Sequence, residues 1–170
     1  MTQEVKSPKI AAASLSIFTA LALAILKLLT GFFTGSLAVL TSAIDSLLDI
    51  LMSGINLMAI RHAEQPADED HPYGHGKFET LATIFQAFVI AASGGWIIYE
   101  AIQRMIESSP IKQTGIGIIV MCVSTVASFM ISRHLRRVAK ETDSSALEAD
   151  SLHFSMDVYT ILALLVALIL

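Results

Sequence analysis

The sequence predicts an all-α integral membrane protein, and three observations support that prediction. Of the 170 residues, 54% are hydrophobic and only 15% are charged, whereas about 25% of the residues are charged in an ordinary soluble domain. The mean hydropathy is +0.67. The apolar residues are collected into long segments, and an apolar segment of about 20 residues is long enough to cross a bilayer as a helix.

Five apolar segments are predicted to be transmembrane helices, and together they make residues 1–170 a single transmembrane domain. The predicted connections are a short Thr-Gly-Ser turn, a polar loop over residues 61–79, a proline-containing segment over residues 107–114 and a basic stretch over residues 133–145. The chain has one cysteine, which excludes an internal disulfide. The predicted helices are Ile10–Phe33, Leu37–Ile60, Thr80–Ile102, Gly115–Ile131 and Ala146–Leu170.

The lysine and arginine residues predict the orientation, because positive residues accumulate on the cytoplasmic side of a membrane. With the N-terminus in the cytoplasm, the cytoplasmic segments hold eight of the eleven basic residues and the external segments hold two. The remaining one, Lys27, lies within the first helix toward its outer end, and we expect its side chain to snorkel to the interface. The cytoplasmic residues are Lys6, Lys9, Arg61, Lys77, Arg133, Arg136, Arg137 and Lys140, and the external ones are Arg104 and Lys112.

Two pairs of ionisable residues lie deep in the predicted membrane helices. Asp45 and Asp49 are four residues apart in the second helix, and His153 and Asp157 have the same spacing in the fifth. That spacing places both members of a pair on one face of a helix. A charge at that depth costs about 2.5–3.5 kcal/mol, so we expect the two pairs to work together. Three carboxylates and one imidazole offer four ligands to a divalent cation.

Such a site is expected to bind a dication in competition with protons. Three ionised carboxylates leave a net charge of about −1 with a dication bound and about −3 without it, and burial disfavours the more highly charged state. Protons are therefore expected to replace the metal when it leaves. Oxygen-rich ligation suits zinc and also admits iron(II), manganese or cadmium. Two alternatives remain open, namely interhelical hydrogen bonds alone and a proton relay without metal.

Polar stripes predict which helices face the interior of the bundle. Because lipid offers no hydrogen bonds, a polar stripe must face protein or an aqueous cavity. The second, third and fifth helices carry such stripes and are expected to line a common interior, whereas the first and fourth helices lack carboxylates and are expected to be more peripheral. The stripes are Ser42, Asp45, Asp49, Ser53 and Asn56, then Glu79, Thr83 and Gln86, and finally Asp150, His153, Asp157 and Thr160.

The polar loop after the second helix contains a second candidate metal site. Asp68, His71 and His75 follow one another at spacings of three and four residues, and Gly74 and Gly76 allow the backbone to fold tightly around a ligand. The alternative is a solvated acidic loop with two incidental histidines, because short clusters of this kind are only moderately specific.

Three segments of the chain resemble the cation diffusion facilitators, a family of metal/proton antiporters. The segments are GSLAVLTSAIDSLLDI, QPADEDHPYGHGKFETLA and ALEADSLHFSMDVYT, and the resemblance extends over essentially the whole chain. It implies a homodimer in the bacterial cytoplasmic membrane that moves zinc, iron or cadmium out of the cytoplasm in exchange for protons, without a cofactor. It implies a transport site made of Asp45, Asp49, His153 and Asp157 and a loop site made of Asp68, His71 and His75.

The resemblance also implies a longer architecture than the sequence provides. The family has six membrane helices and usually a soluble, metal-binding C-terminal domain. Lys77 matches a position that pairs, in relatives, with an acidic residue near the end of the membrane domain and so locks the dimer. Because the sequence ends at Leu170, we expect the sixth helix, the acidic partner and the soluble domain to be absent, as in a fragment or a truncated gene product.

Other function classes are less well supported by the residues. The main alternative is a membrane protein that binds metal without transporting it, as a sensor or as a defective partner subunit. An enzyme is not expected, since the sequence has no H-E-x-x-H motif and no glycine-rich phosphate loop. Nucleic-acid binding is not expected either, because the basic residues between 133 and 140 are better explained as a membrane-flanking cluster that attracts anionic lipid.

Overall fold

The computed structural model describes residues 7–107 and 115–169, and these residues form five α-helices and no β-strand. The predicted all-helical fold is therefore confirmed for this part of the chain. The helices are α1 (Pro8–Thr34), α2 (Leu37–Ala63), α3 (Lys77–Glu107), α4 (Gly115–Thr142) and α5 (Ser145–Ile169). In the described residues, four segments are long and apolar enough to cross a membrane, namely Pro8–Thr34, Val39–Ala63, Lys77–Trp96 and Gly115–Thr142.

The helices α1 and α2 form a tight antiparallel hairpin. Gly35 ends α1 in the left-handed conformation, with φ of 63°, which glycine adopts without steric cost. Beyond this hairpin, α1 packs against α4, and α4 packs against α5. The helix α3 packs against α2 and α5, and α2 also contacts α5 directly. Three helices thus meet around the predicted ligand residues, as the polar stripes indicate.

The expectation that the first helix is peripheral is wrong. One face of α1 is buried against α2, α4 and α5. Small residues on that face let neighbouring backbones approach closely. The helix α1 therefore occupies a central position in the bundle, although it carries no carboxylate. The buried residues of α1 are Ala12, Ala13, Ser16, Ala20, Leu23, Ala24, Lys27 and Gly31.

The fourth helix is longer than the apolar pattern predicts. The basic stretch that we expected to be a connection continues α4 as far as Thr142. It is amphipathic, because its apolar residues recur at helical spacing on one face and its basic residues occupy the other. The buried residues are Leu135, Val138 and Ala139, and the exposed ones are Arg133, Arg136, Arg137 and Lys140.

Several contacts bring together the ends of the helices on the side of the polar loop, which we call the loop end of the bundle. Lys9 Nζ donates a hydrogen bond to Glu79 Oε1 at 2.8 Å, and Ser144 Oγ donates to Glu79 Oε2 at 2.7 Å. These contacts join the start of α1, the start of α3 and the connection between α4 and α5. The outer faces of the helices expose large apolar side chains such as Phe18 and Phe32, as expected for residues that face lipid.

Candidate metal centre

The loop residues Asp68, His71 and His75, which we call the loop cluster, lie close together. His71 Nδ1 is 3.0 Å from Asp68 Oδ1, and His75 Nε2 is 3.3 Å from Asp68 Oδ2. In the described part of the chain, this is the only group of three or more His, Cys, Asp or Glu residues whose ligand atoms all lie within 4.8 Å of one another. The three residues of the predicted loop site therefore lie together, and that they bind a metal stays a prediction.

The backbone of the loop brings these side chains together. Gly74 has φ of 77°, a conformation that favours glycine, and its N–H donates to the His71 carbonyl at 2.9 Å. This turn reverses the chain between the two histidines, whose ring centroids are 4.5 Å apart. The His71 backbone N–H donates to Asp68 Oδ1 at 2.6 Å, which fixes the carboxylate beside the turn.

The contacts of His75 indicate which of its nitrogens is free to bind a cation. His75 Nδ1 lies 3.2 Å from the Pro66 carbonyl, and a carbonyl oxygen only accepts hydrogen bonds, so Nδ1 carries the hydrogen. In the neutral imidazole the lone pair is then on Nε2, which faces Asp68 Oδ2. Two acceptors that face each other at that distance need a proton or a cation between them, and orientation of a ligand histidine by a carbonyl is typical of metal sites.

Asp68 is electrostatically suited to remain an anion. Partial desolvation opposes ionisation, but the hydrogen bonds from His71 and the nearby charges of both loop histidines outweigh it and lower the pKa of Asp68 below its usual value of 3.8. An ionised carboxylate between two imidazoles is a donor set that zinc accepts.

The four membrane residues Asp45, Asp49, His153 and Asp157, which we call the intramembrane quartet, include a direct contact between the two helices that carry them. His153 Nε2 lies 2.8 Å from Asp49 Oδ1, and both side chains are nearly buried, at 12% and 11% exposure. This contact links α5 to α2, so the two predicted pairs face the same space. Asp157 also interacts electrostatically with Asp49, His153 and Asp45.

The four quartet residues differ in how far they are exposed. Asp49 is buried, His153 and Asp157 are half-buried, and Asp45 is exposed. No three quartet residues have ligand atoms that all lie within 4.8 Å of one another, as those of the loop cluster do. The structure thus brings the halves of the quartet into contact through Asp49 and His153, and it places the other two residues around that contact.

A buried polar network lies next to the quartet on the side of the loop end. Asp150 is wholly buried and accepts a hydrogen bond from Ser16 Oγ at 2.5 Å. Longer contacts of 3.4 Å reach its Oδ1 from Ser53 Oγ and Gln86 Nε2. Asn56 Nδ2 donates to Gln86 Oε1 at 2.7 Å. The network joins α1, α2, α3 and α5 one helical turn from His153.

Two α1 residues near the quartet were not recognised from the sequence as parts of the interior. Ser16 binds Asp150, and Lys27 Nζ donates to Ser46 Oγ at 2.8 Å. The expectation that Lys27 snorkels to the interface is wrong, because the residue is only 9% exposed and points into the bundle. The small residues of α1 were the available signal, since Ser16 and Lys27 fall on the same helical face as Ala20, Ala24 and Gly31.

Comparisons with known proteins identify the family. The cation efflux transmembrane domain matches residues 13–170. The chain is 37% identical over 147 residues to the cation-efflux pump FieF of Klebsiella pneumoniae subsp. pneumoniae, and the aligned residues cover 86% of this chain and 49% of the relative. It is 38% identical over 149 residues to FieF of Salmonella arizonae, covering 88% and 50%, and 38% identical over 146 residues to FieF of Citrobacter koseri, covering 86% and 49%.

The chain belongs to the cation efflux family, whose members are the cation diffusion facilitators. This confirms the resemblance that the three sequence segments indicate and agrees with a multi-pass membrane protein. The chain spans about half the length of the curated relatives that it matches.

Proposed function

We propose that the chain is a secondary transporter that moves divalent metal cations out of the cytoplasm in exchange for protons. The intramembrane quartet is the proposed transport site. The observation that carries this proposal is the 2.8 Å contact between Asp49 and His153, which brings acidic and imidazole ligands from two helices to one place in the bundle. Membership of the cation efflux family supports the same function.

The chemistry of the quartet fits exchange of a metal for protons. A dication satisfies carboxylates that are otherwise costly to keep ionised within a membrane, and protons satisfy the same oxygens when the metal is released. Zinc is the first candidate substrate because it accepts a mixed set of imidazole and carboxylate ligands. The oxygen-rich set also suits iron(II), manganese and cadmium.

The loop cluster is proposed to bind a second cation at the cytoplasmic surface. Its three ligand atoms lie within 4.8 Å of one another, and the contact between His75 and Pro66 leaves Nε2 available for a metal. The proposed orientation places the loop end and the N-terminus in the cytoplasm of a cell bounded by the bacterial cytoplasmic membrane, in line with the excess of basic residues on that side.

A homodimer is proposed as the working assembly. Lys77 is exposed at the start of α3 and, within the described residues, forms no ion pair with another side chain. An exposed lysine beside the polar loop is available to pair with an acidic residue elsewhere in the assembly. Measurement of the mass of the detergent-solubilised chain by light scattering tests this: a mass of two chains supports the dimer, and a mass of one chain contradicts it.

The transport proposal is tested with purified chain in proteoliposomes. Asp49→Ala and Asp157→Ala are expected to abolish zinc movement, measured with a zinc-sensitive dye in the lumen, whereas Glu141→Gln in the exposed basic part of α4 is expected to leave it unchanged. Circular dichroism checks that the variants insert and fold. Zinc flux that is unchanged in both aspartate variants would contradict the proposed site.

The second candidate function is metal binding without transport. The observation that favours it is that the ligand atoms of the loop cluster all lie within 4.8 Å of one another, whereas those of no three quartet residues do so. Zinc binding that depends on His71 and His75, without zinc flux in the proteoliposomes, is the result expected for this function and not for a transporter.

A further inference from the structure

Lys27 occupies an unusual place for a lysine in a membrane helix. It lies in the second half of α1, is only 9% exposed, and donates a hydrogen bond to Ser46 Oγ at 2.8 Å. A lysine that snorkels directs its ammonium group toward water and headgroups. Lys27 instead directs its charge to a neutral hydroxyl inside the bundle, and burial of a charge is costly unless other charges compensate for it.

The compensating charges are those of the quartet. Ser46 follows Asp45 directly and precedes Asp49 by three residues, so it shares a helical face with Asp49. Asp157 on α5 also interacts electrostatically with Lys27. The ammonium group therefore shares the interior of the bundle with the quartet, because its hydrogen-bond partner Ser46 belongs to α2 and its charge acts on Asp157 of α5.

The charge of Lys27 changes the net charge of the quartet when a cation is bound. Three ionised carboxylates and a neutral imidazole bring about −3, Lys27 brings about +1, and a bound dication makes the whole site close to neutral. Without the lysine the loaded site would keep a charge of about −1. A loaded site without net charge is the least costly one to hold in an environment of low dielectric constant.

We infer that Lys27 is a positioning residue of the transport site, a fixed counter-charge that neutralises the loaded quartet and weakens its hold on the cation so that the cation can leave. This inference rests on the proposed transport function. The alternative is a purely structural role, in which the bond between Lys27 and Ser46 only clamps α1 to α2.

The test compares charge with hydrogen bonding at this position. In Lys27→Gln the side chain can still bond to Ser46 but has no charge, in Lys27→Met it has neither property, and in Lys27→Arg the charge remains. We expect zinc to bind on the order of tenfold or more tightly to the Gln and Met variants, as for one unit charge within about 10 Å of a dication at an effective dielectric constant of about 20. The Arg variant should bind zinc about as the unmodified chain does.

The zinc affinity is measured by isothermal titration on chain that carries His71→Ala and His75→Ala, so that the loop cluster does not contribute. The maximal transport rate in proteoliposomes should fall in the Gln and Met variants while their half-saturating zinc concentration also falls. A structural clamp predicts the opposite change, namely weaker binding. If Lys27→Met does not fold, Lys27→Gln decides the question.

Unchanged or weaker zinc binding in folded Lys27→Gln, or tighter binding in Lys27→Arg, would overturn the inference. The affinity and flux measurements also separate the inference about Lys27 from the transport proposal. If the unmodified chain binds zinc at the quartet without flux, the transport proposal fails, while tighter binding in Lys27→Gln would still establish the counter-charge.

Discussion

His153 Nε2 and Asp49 Oδ1 lie 2.8 Å apart and connect two helices whose contacting residues are 104 positions apart in the sequence. Neither residue is more than about an eighth exposed, at 12% and 11%. Two ionisable side chains in direct contact inside a membrane bundle form a strong interaction when one is charged. In the proposed transport site, the same two atoms bind the cation after the proton between them is lost.

His153 is expected to govern the choice of metal. It supplies the only nitrogen ligand of the quartet, and its substitution by alanine leaves three carboxylates, which suit manganese better than zinc. We expect His153→Ala to weaken zinc binding on the order of tenfold or more and to weaken manganese binding less. Competition titrations with both metals measure this ratio, with His134→Ala as the control because that histidine is exposed on α4. Equal losses for both metals would contradict the prediction.

The loop cluster should bind one zinc ion through its two histidines. Either His71→Ala or His75→Ala should weaken binding at this site by at least about 10- to 100-fold, because that is the loss when a metal site loses a group that only orients a ligand. The measurement is titration of zinc into chain that carries Asp49→Ala, with His62→Ala, an exposed histidine at the same end, as the control. Binding that survives in both loop variants would place the zinc elsewhere.

Zinc binding at the loop cluster should weaken as the pH falls. The pKa of Asp68 lies below its usual value, so this carboxylate remains ionised when the pH falls from about 7.5 to about 5.5 and does not account for a loss of affinity. Protons compete with metals for imidazole nitrogen, so a loss of affinity over this range is assigned to the histidine ligands. Titration at both pH values in the Asp49→Ala chain checks this. An affinity that does not change would show that the histidines are not the ligands.

Asp150 is expected to stabilise the bundle through the buried polar network. Asp150→Ala leaves the donors on Ser16 and Gln86 without their acceptor, which costs about 1–3 kcal/mol for a buried group. Asp150→Asn keeps one acceptor oxygen and should cost less. Thermal unfolding in detergent measures both, with Glu148→Ala on an exposed position of α5 as the control. Equal melting temperatures for Asp150→Ala and the control would contradict this role.

Much of this arrangement follows from local sequence patterns. The length of the apolar segments predicts the helices. The four-residue spacing of Asp45 with Asp49 and of His153 with Asp157 places each pair on one helical face. The closeness of the loop-cluster residues was predictable because they lie within eight positions of one another, so the chain itself holds their side chains near each other. The polar stripes also predicted that α2, α3 and α5 meet.

The rest depends on how the helices pack, which short-range patterns do not specify. Whether a lysine such as Lys27 points to the interface or to the interior is set by the rotation of α1 about its axis, and small residues rather than charges mark its buried side. The length of α4 was underestimated because its last turns pair an apolar face with a basic one. The partners of Asp150 come from three other helices, so no local spacing reveals them.

Zinc X-ray absorption decides whether the quartet binds metal when it is measured on chain that carries His71→Ala and His75→Ala, so that the loop cluster does not contribute. We expect one zinc per chain with about four nitrogen and oxygen ligands at about 2.0–2.2 Å, one of them an imidazole. We also expect the imidazole signal to disappear in His153→Ala and zinc itself to be lost in Asp49→Ala. A ligand shell that is the same in all three proteins would contradict the assignment of the quartet as the metal site.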